Sequence, residues 1–177
     1  MTRSKLSIAS LAVLAFVLGA TLADAEETRL TVRALSQDAK FIGSSMAGAR
    51  VTVTEVETGR LLAEGVTRGG TGDTGKILGE GRERGGALST PDAARFDVTL
   101  DLDRPTLVEV RAFGPLAQRQ SAVAAGQTLW LLPGKHMDSG DGVVLELAGF
   151  AVDIMSPAAH SQQGLEEVEV LANLVML

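Results

Sequence analysis

His136, Met137, Met155 and His160 are the residues of this chain whose side chains could together hold a metal. Thioether and imidazole ligands suit Cu(I). An exported chain without cysteine would rely on Met and His for that purpose, and Met46 and Met176 would extend the set. The plainer account is that His136 follows the Pro133-Gly134 turn while Met155 and Met176 belong to apolar runs. Ligand number and geometry, which a metal site requires, are not written in this spacing.

A second constellation lies in the glycine-rich stretch. Gly70, Gly72 and Gly75 fit G-x-G-x-x-G, and Gly70 with Gly75-Lys76 fits the P-loop spacing. Phosphate binding by either motif needs a helix N-terminus beneath it, and the P-loop needs Ser or Thr after the lysine. Ile77 stands there, and Gly79, Gly81, Gly85 and Gly86 disfavour a helix after Lys76. Nucleotide is therefore not an expected ligand. Asp138-Ser139-Gly140-Asp141-Gly142 begins like a calcium loop, but position 12 is Gly149 instead of Glu, so a polar turn is expected.

Catalysis finds little support. There is no cysteine nucleophile, His136 and His160 are the only histidines, and no G-x-S-x-G elbow occurs. Asp97 with Asp101, and Glu166 with Glu167 and Glu169, read as solvent faces of strands. The chain is expected not to be an enzyme, and neither cofactor nor prosthetic group is implied beyond the copper reading.

The N-terminus decides where such chemistry would take place. Arg3 and Lys5 precede an uncharged run from Leu6, and Ala23-Asp24-Ala25 places small residues at the positions a signal peptidase reads. Residues 1–25 are thus expected to be a helical secretory signal, cut after Ala25, with no stable membrane anchor left afterwards. The run is short for a hydrocarbon core of about 30 Å. The mature chain is expected in a bacterial periplasm or outside the cell. It lacks cysteine, so it has no disulfide framework and no lipid-bearing Cys. The whole sequence carries a formal charge of −6, and the mature chain is one unit more negative, which disfavours nucleic acid and anionic membranes.

The elements that must position these residues are strands. Leu30, Val32 and Ala34 alternate with Thr31 and Arg33; Val51 and Val53 alternate with Thr52 and Thr54. Phe96–Leu102 and Val108–Ala112 repeat the pattern, and Arg60–Thr67, Gln127–Leu132, Val143–Ala148, Phe150–Met155 and Glu166–Leu177 are further candidates. Period-2 alternation with Gly, Pro, Asp and Ser punctuation is the mark of half-buried strands in a sandwich or barrel. Val168, Leu171, Leu174 and Val175 also fit a helical stripe, but the β-branched residues favour a strand. Trp130, flanked by Leu129 and Leu131, is expected in the core, with an exposed partner anchor as the alternative.

From Arg68 to Ala87 there are eight glycines and few apolar residues, which predicts a long mobile loop over 68–93. Gly70, Asp73, Lys76, Arg82 and Arg84 are the candidate partner contacts on it. Residues 26–148 are expected to form the β domain. Residues 149–177 then either complete it or begin a second β unit, the sequence being a piece of a longer protein in the latter case.

Ala47-Gly48-Ala49-Arg50-Val51-Thr52-Val53, Glu57-Thr58-Gly59, Leu62-Ala63-Glu64-Gly65-Val66-Thr67 and Thr106–Gly114 resemble the carboxypeptidase-regulatory-like or transthyretin-like domain. The resemblance covers about half of the mature chain and departs at the long segment after Thr67. It implies an all-β, seven-stranded Greek-key sandwich of immunoglobulin or transthyretin type, usually non-catalytic, and it carries over no active-site residue. The combined expectation is an exported binding or structural module that presents its loop or a sheet edge to another exported protein. The alternative is periplasmic copper handling through the Met and His set.

Overall fold

A computed structural model describes residues 24–79, 85–158, 164 and 167–176. The chain is mostly β-strand (51%) with very little helix, and its described residues form three sheets. No helix among the described residues is long and apolar enough to cross a membrane.

The strands are β1 (Glu26–Ser36), β2 (Arg50–Glu55), β3 (Leu61–Val66), β4 (Phe96–Leu102), β5 (Thr106–Gly114), β6 (Val123–Leu131), β7 (Val143–Leu147), β8 (Phe150–Ser156) and β9 (Leu171–Met176). The first sheet has the order β4-β1-β7, the second β3-β2-β5-β6, and the third is the pair β8-β9. In the first sheet β1 runs antiparallel to β4, with Thr31 opposite Asp97, and parallel to β7, with Val32 opposite Val143. In the second, β5 is central, pairing β2 through Val53 and Val110 and β6 through Leu107 and Trp130.

Alternation decides which side chains meet. Leu30, Val32 and Ala34 turn one way from β1, joined by Leu145 and Leu147 of β7. They meet Val51 and Val53 of β2, Val108 and Val110 of β5 and Leu131 of β6 in one buried cluster. Burial of each such side chain stabilises the fold by about 1.5–3 kcal/mol. The β2–β3 hairpin turns at Thr58-Gly59, where Gly59 has φ +71°, a region open to glycine. Buried Thr67 crosslinks three segments: its hydroxyl donates to the Ile42 carbonyl at 2.7 Å and accepts from the Ala49 N–H at 2.9 Å.

Two features differ from the expectations. Trp130 is 60% exposed. The register on β6 sends Leu131 inward, so the residue before it must face out. In the glycine-rich segment the chain forms a five-residue helix, α1 (Thr74–Leu78), despite the surrounding glycines. The Asp73 side chain caps it by accepting the Lys76 N–H, and the helix stops at Gly79. Ile77 supplies the reason for order, since it is 1% exposed and joins Leu35, Phe41, Ala93 and Ala94 in a second small cluster. Backbone bridges at Arg68–Arg95 and Gly70–Ala93 close the base of the segment.

The last strand is the shorter Leu171–Met176, paired antiparallel with β8. Ala151 of β8 reaches the main core at 1% exposure. The Ser121 hydroxyl donates to the Val152 carbonyl and accepts its N–H, which fastens the outer edge of β8 to the 119–121 turn.

Candidate functional site

The second small cluster has a consequence for the outer face of the first sheet. Thr31 and Arg33 point away from the main core, as alternation requires, yet they are 5% and 4% exposed. Residues 87–95 fold over them. Its anchor is Asp141, whose two carboxylate oxygens accept the Leu88 and Ser89 N–H groups, each at 2.7 Å. Burial alone would raise the Asp141 carboxyl, but these donors and the nearby Arg33 charge outweigh it and hold it below the ordinary range. Gly142, next in the chain, passes against the Thr31 carbonyl, where a Cβ would lie 2.3 Å away.

Between this covering segment and the strands lies a groove of about 650 Å³. That volume is typical of small-ligand sites. β1 supplies Arg29, Thr31 and Arg33, the entry to β4 supplies Arg95 and Asp97, and Ser89, Thr90 and Asp138 complete the walls.

The three arginines differ in their partners. Arg29 Nε bonds Asp138 at 2.6 Å, and Arg95 Nε bonds Asp97 at 2.7 Å. Both pairs are substantially exposed, which makes them weak contributors to stability. Arg33 Nη1 donates to the backbone carbonyls of Ala93 and Ala94 at 2.6 and 3.0 Å, and its Nε is buried and meets no acceptor among the described residues. Burial and the Arg95 charge push the Arg33 guanidinium below its ordinary value, against Asp141 and Asp97, although it stays a cation. Burial would raise Asp97, but the Thr31 hydroxyl at 2.7 Å and Arg95 hold it low instead. Asp138 is held low chiefly by Arg29.

The candidates read from sequence are distributed as follows. His136 is exposed, and its Nδ1 accepts the Arg29 N–H at 3.2 Å. Met137 beside it packs half-buried against the main core. Met155 is 63% exposed on β8, and His160 lies outside the described residues. Among the described residues, no three or more His, Cys, Asp or Glu side chains converge as a cation site. Of the loop candidates, Gly70 bonds the Asp92 carbonyl, Asp73 caps α1, and Lys76 Nζ donates to the Ser89 carbonyl at 3.1 Å. Arg82 and Arg84 lie outside the described residues. The groove residues were not singled out from sequence. The available signal was an arginine at an outward position of β1, on the face that alternation alone assigns to solvent.

A second surface stands apart from the groove. Phe150, Val152 and Ile154 of β8 share a face with Leu174 and Met176 of β9, and all five are 44–63% exposed. The outer edge of β9 has no ladder partner among the described residues. No family model matches this chain, and neither a curated protein nor a solved structure matches it.

Proposed function

We propose that the chain is an exported, non-catalytic β-sandwich of Greek-key, transthyretin-like type that binds another exported protein through its β8–β9 sheet. The observation that carries the reading is the β8–β9 pair itself. It turns five large apolar side chains to solvent and leaves one strand edge unpaired among the described residues. Two-stranded sheets are marginal in water, and apolar patches of this kind mark interaction surfaces. β9 is also uncharged and free of proline, so it lacks the devices that keep edges from pairing. Strand addition satisfies the backbone while the apolar face supplies specificity.

Several further observations support the wider reading. Strand β1 begins at Glu26, directly after the expected cleavage point. Strands β1–β7 lie in two sheets whose buried residues share one apolar cluster, which supports the sandwich reading. Of the two presenting elements, the glycine-rich segment spends Ile77, Asp73 and Lys76 on internal contacts, which favours the sheet.

The test is capture of a partner by the mature chain from a periplasmic extract, comparing Val152→Lys/Leu174→Lys with deletion of residues 69–79. The lysines, at exposed positions, should abolish capture while the unfolding midpoint stays put. Capture that survives the lysines and fails on the deletion overturns the sheet reading.

A further inference from the structure

We propose that the groove over the outer face of the first sheet binds a hydroxylated carboxylate of about sugar-acid size, anchored on Arg33. The argument starts from the unequal pairing of the three arginines. Arg29 and Arg95 each contact a carboxylate of the protein. Arg33, the most buried of them, contacts none among the described residues; its hydrogen-bond partners there are two backbone carbonyls, and the Phe41 ring lies 5.6 Å from it.

A buried cation without a contacting anion is costly, and an anion brought to it recovers that cost. Arg33 is also preorganised. The carbonyls of Ala93 and Ala94 fix one side of its fork, so binding to the rest orders no mobile side chain. Its buried Nε is a donor still lacking an acceptor in a residue that lines the groove. A carboxylate matches the planar guanidinium fork better than a spherical ion does.

The remaining lining defines the rest of the ligand. Asp97 and Asp138 stand in the same groove and would repel a ligand that is anionic throughout. They can instead accept from hydroxyl groups, and Ser89 adds a hydroxyl of its own. Among the described residues the groove holds no aromatic side chain, so recognition rests on hydrogen bonds and not on stacking. None of these residues lies on β8 or β9, so this site and the partner surface stand or fall separately.

The experiment is side-chain NMR of the mature chain labelled with ¹⁵N-arginine, titrated with glucuronate, glucose and inorganic sulfate. Glucuronate should shift the Arg33 Nε–H resonance saturably. Sulfate should act about tenfold or more weakly, the scale of one charge-assisted hydrogen bond, and glucose should not shift this resonance. Arg95→Gln should weaken the glucuronate response about threefold or more, as loss of a rim charge would. On uniformly ¹⁵N-labelled protein, glucuronate should also shift the Thr31 and Ser89 amides of the parent saturably, and Arg33→Lys, with its fold verified from unchanged β5 amide shifts, should abolish those shifts. The proposal is overturned by an Arg33 signal that does not respond to glucuronate, by equal response to sulfate, or by Arg33→Lys binding as the parent does.

Discussion

The guanidinium of Arg33 sits over the ring of Phe41, 5.6 Å from its centroid. The two residues come from either side of the turn that follows β1, and both are sealed beneath Ala93 and Ala94. A desolvated cation–π contact is worth up to about 2 kcal/mol. Phe41→Leu keeps most of the apolar volume and removes the ring. It should lower stability by about 1–3 kcal/mol, combining lost packing with the lost cation contact. Urea denaturation measures this, and an unchanged midpoint would show that the ring does not hold the arginine.

Asp141 governs the covering segment in a pH-dependent way. Its folded-state value lies below the ordinary carboxylate value of about 3.9, so its stabilising contribution is full above that value. The contribution is lost as pH falls through the folded value. Hydrogen-exchange protection of the Leu88 and Ser89 amides should therefore stay level from neutrality to about pH 5 and fall under more acidic conditions. Asp141→Asn should reduce that protection even at neutral pH, by about 1–2 kcal/mol of local opening energy. Central strand β5 should keep its protection in both cases. Loss of protection across β5 at the same pH would mean global unfolding and not release of the segment.

Ile77 tests whether the glycine-rich segment adds to stability. It is 1% exposed in a small cluster with Phe41 and Leu35. Ile77→Ala should cost about 2–3 kcal/mol, the lower end for buried aliphatic truncation because a small cluster can relax. A thermal midpoint matching the parent's would return the segment to the status of a spacer.

This residue also marks the boundary of what the sequence discloses. Alternation located β1, β2, β4 and β5, because each buries one face and the period of two is then visible in the residues themselves, while β3, β6 and β7 were marked as candidates by the turn residues around them. Val51, Val53, Val108 and Val110 show it plainly. The covered outer face was not legible. Arg33 and Thr31 occupy the positions alternation assigns to solvent, and only a segment distant in the chain buries them. One isoleucine among many glycines is too sparse a pattern to announce that contact. The groove follows from this burial, so its residues were invisible for the same reason. The metal set is of another kind: residue types suggest it, ligation depends on convergence, and His160 lies outside the described residues.

Trp130 offers the simplest check on strand parity. It lies between Leu129 and Leu131, and composition alone argues for burial of all three. Only one parity is possible on a strand, and the register with β5 gives Leu131 to the core at 0% exposure. Trp130 then stands on the opposite face beside Val56 and Pro105. Its fluorescence in the folded protein should resemble that of solvated indole, with easy quenching by acrylamide and little spectral shift on unfolding. Trp130→Ala should change stability by about 1 kcal/mol or less, as surface truncations do. Leu131→Ala, one residue on, should cost about 2–5 kcal/mol through the cavity it leaves. The contrast between the neighbours is the informative quantity. A blue-shifted, protected tryptophan together with a tolerant Leu131 would mean that β6 is shifted by one residue, and every side chain on that strand would change face.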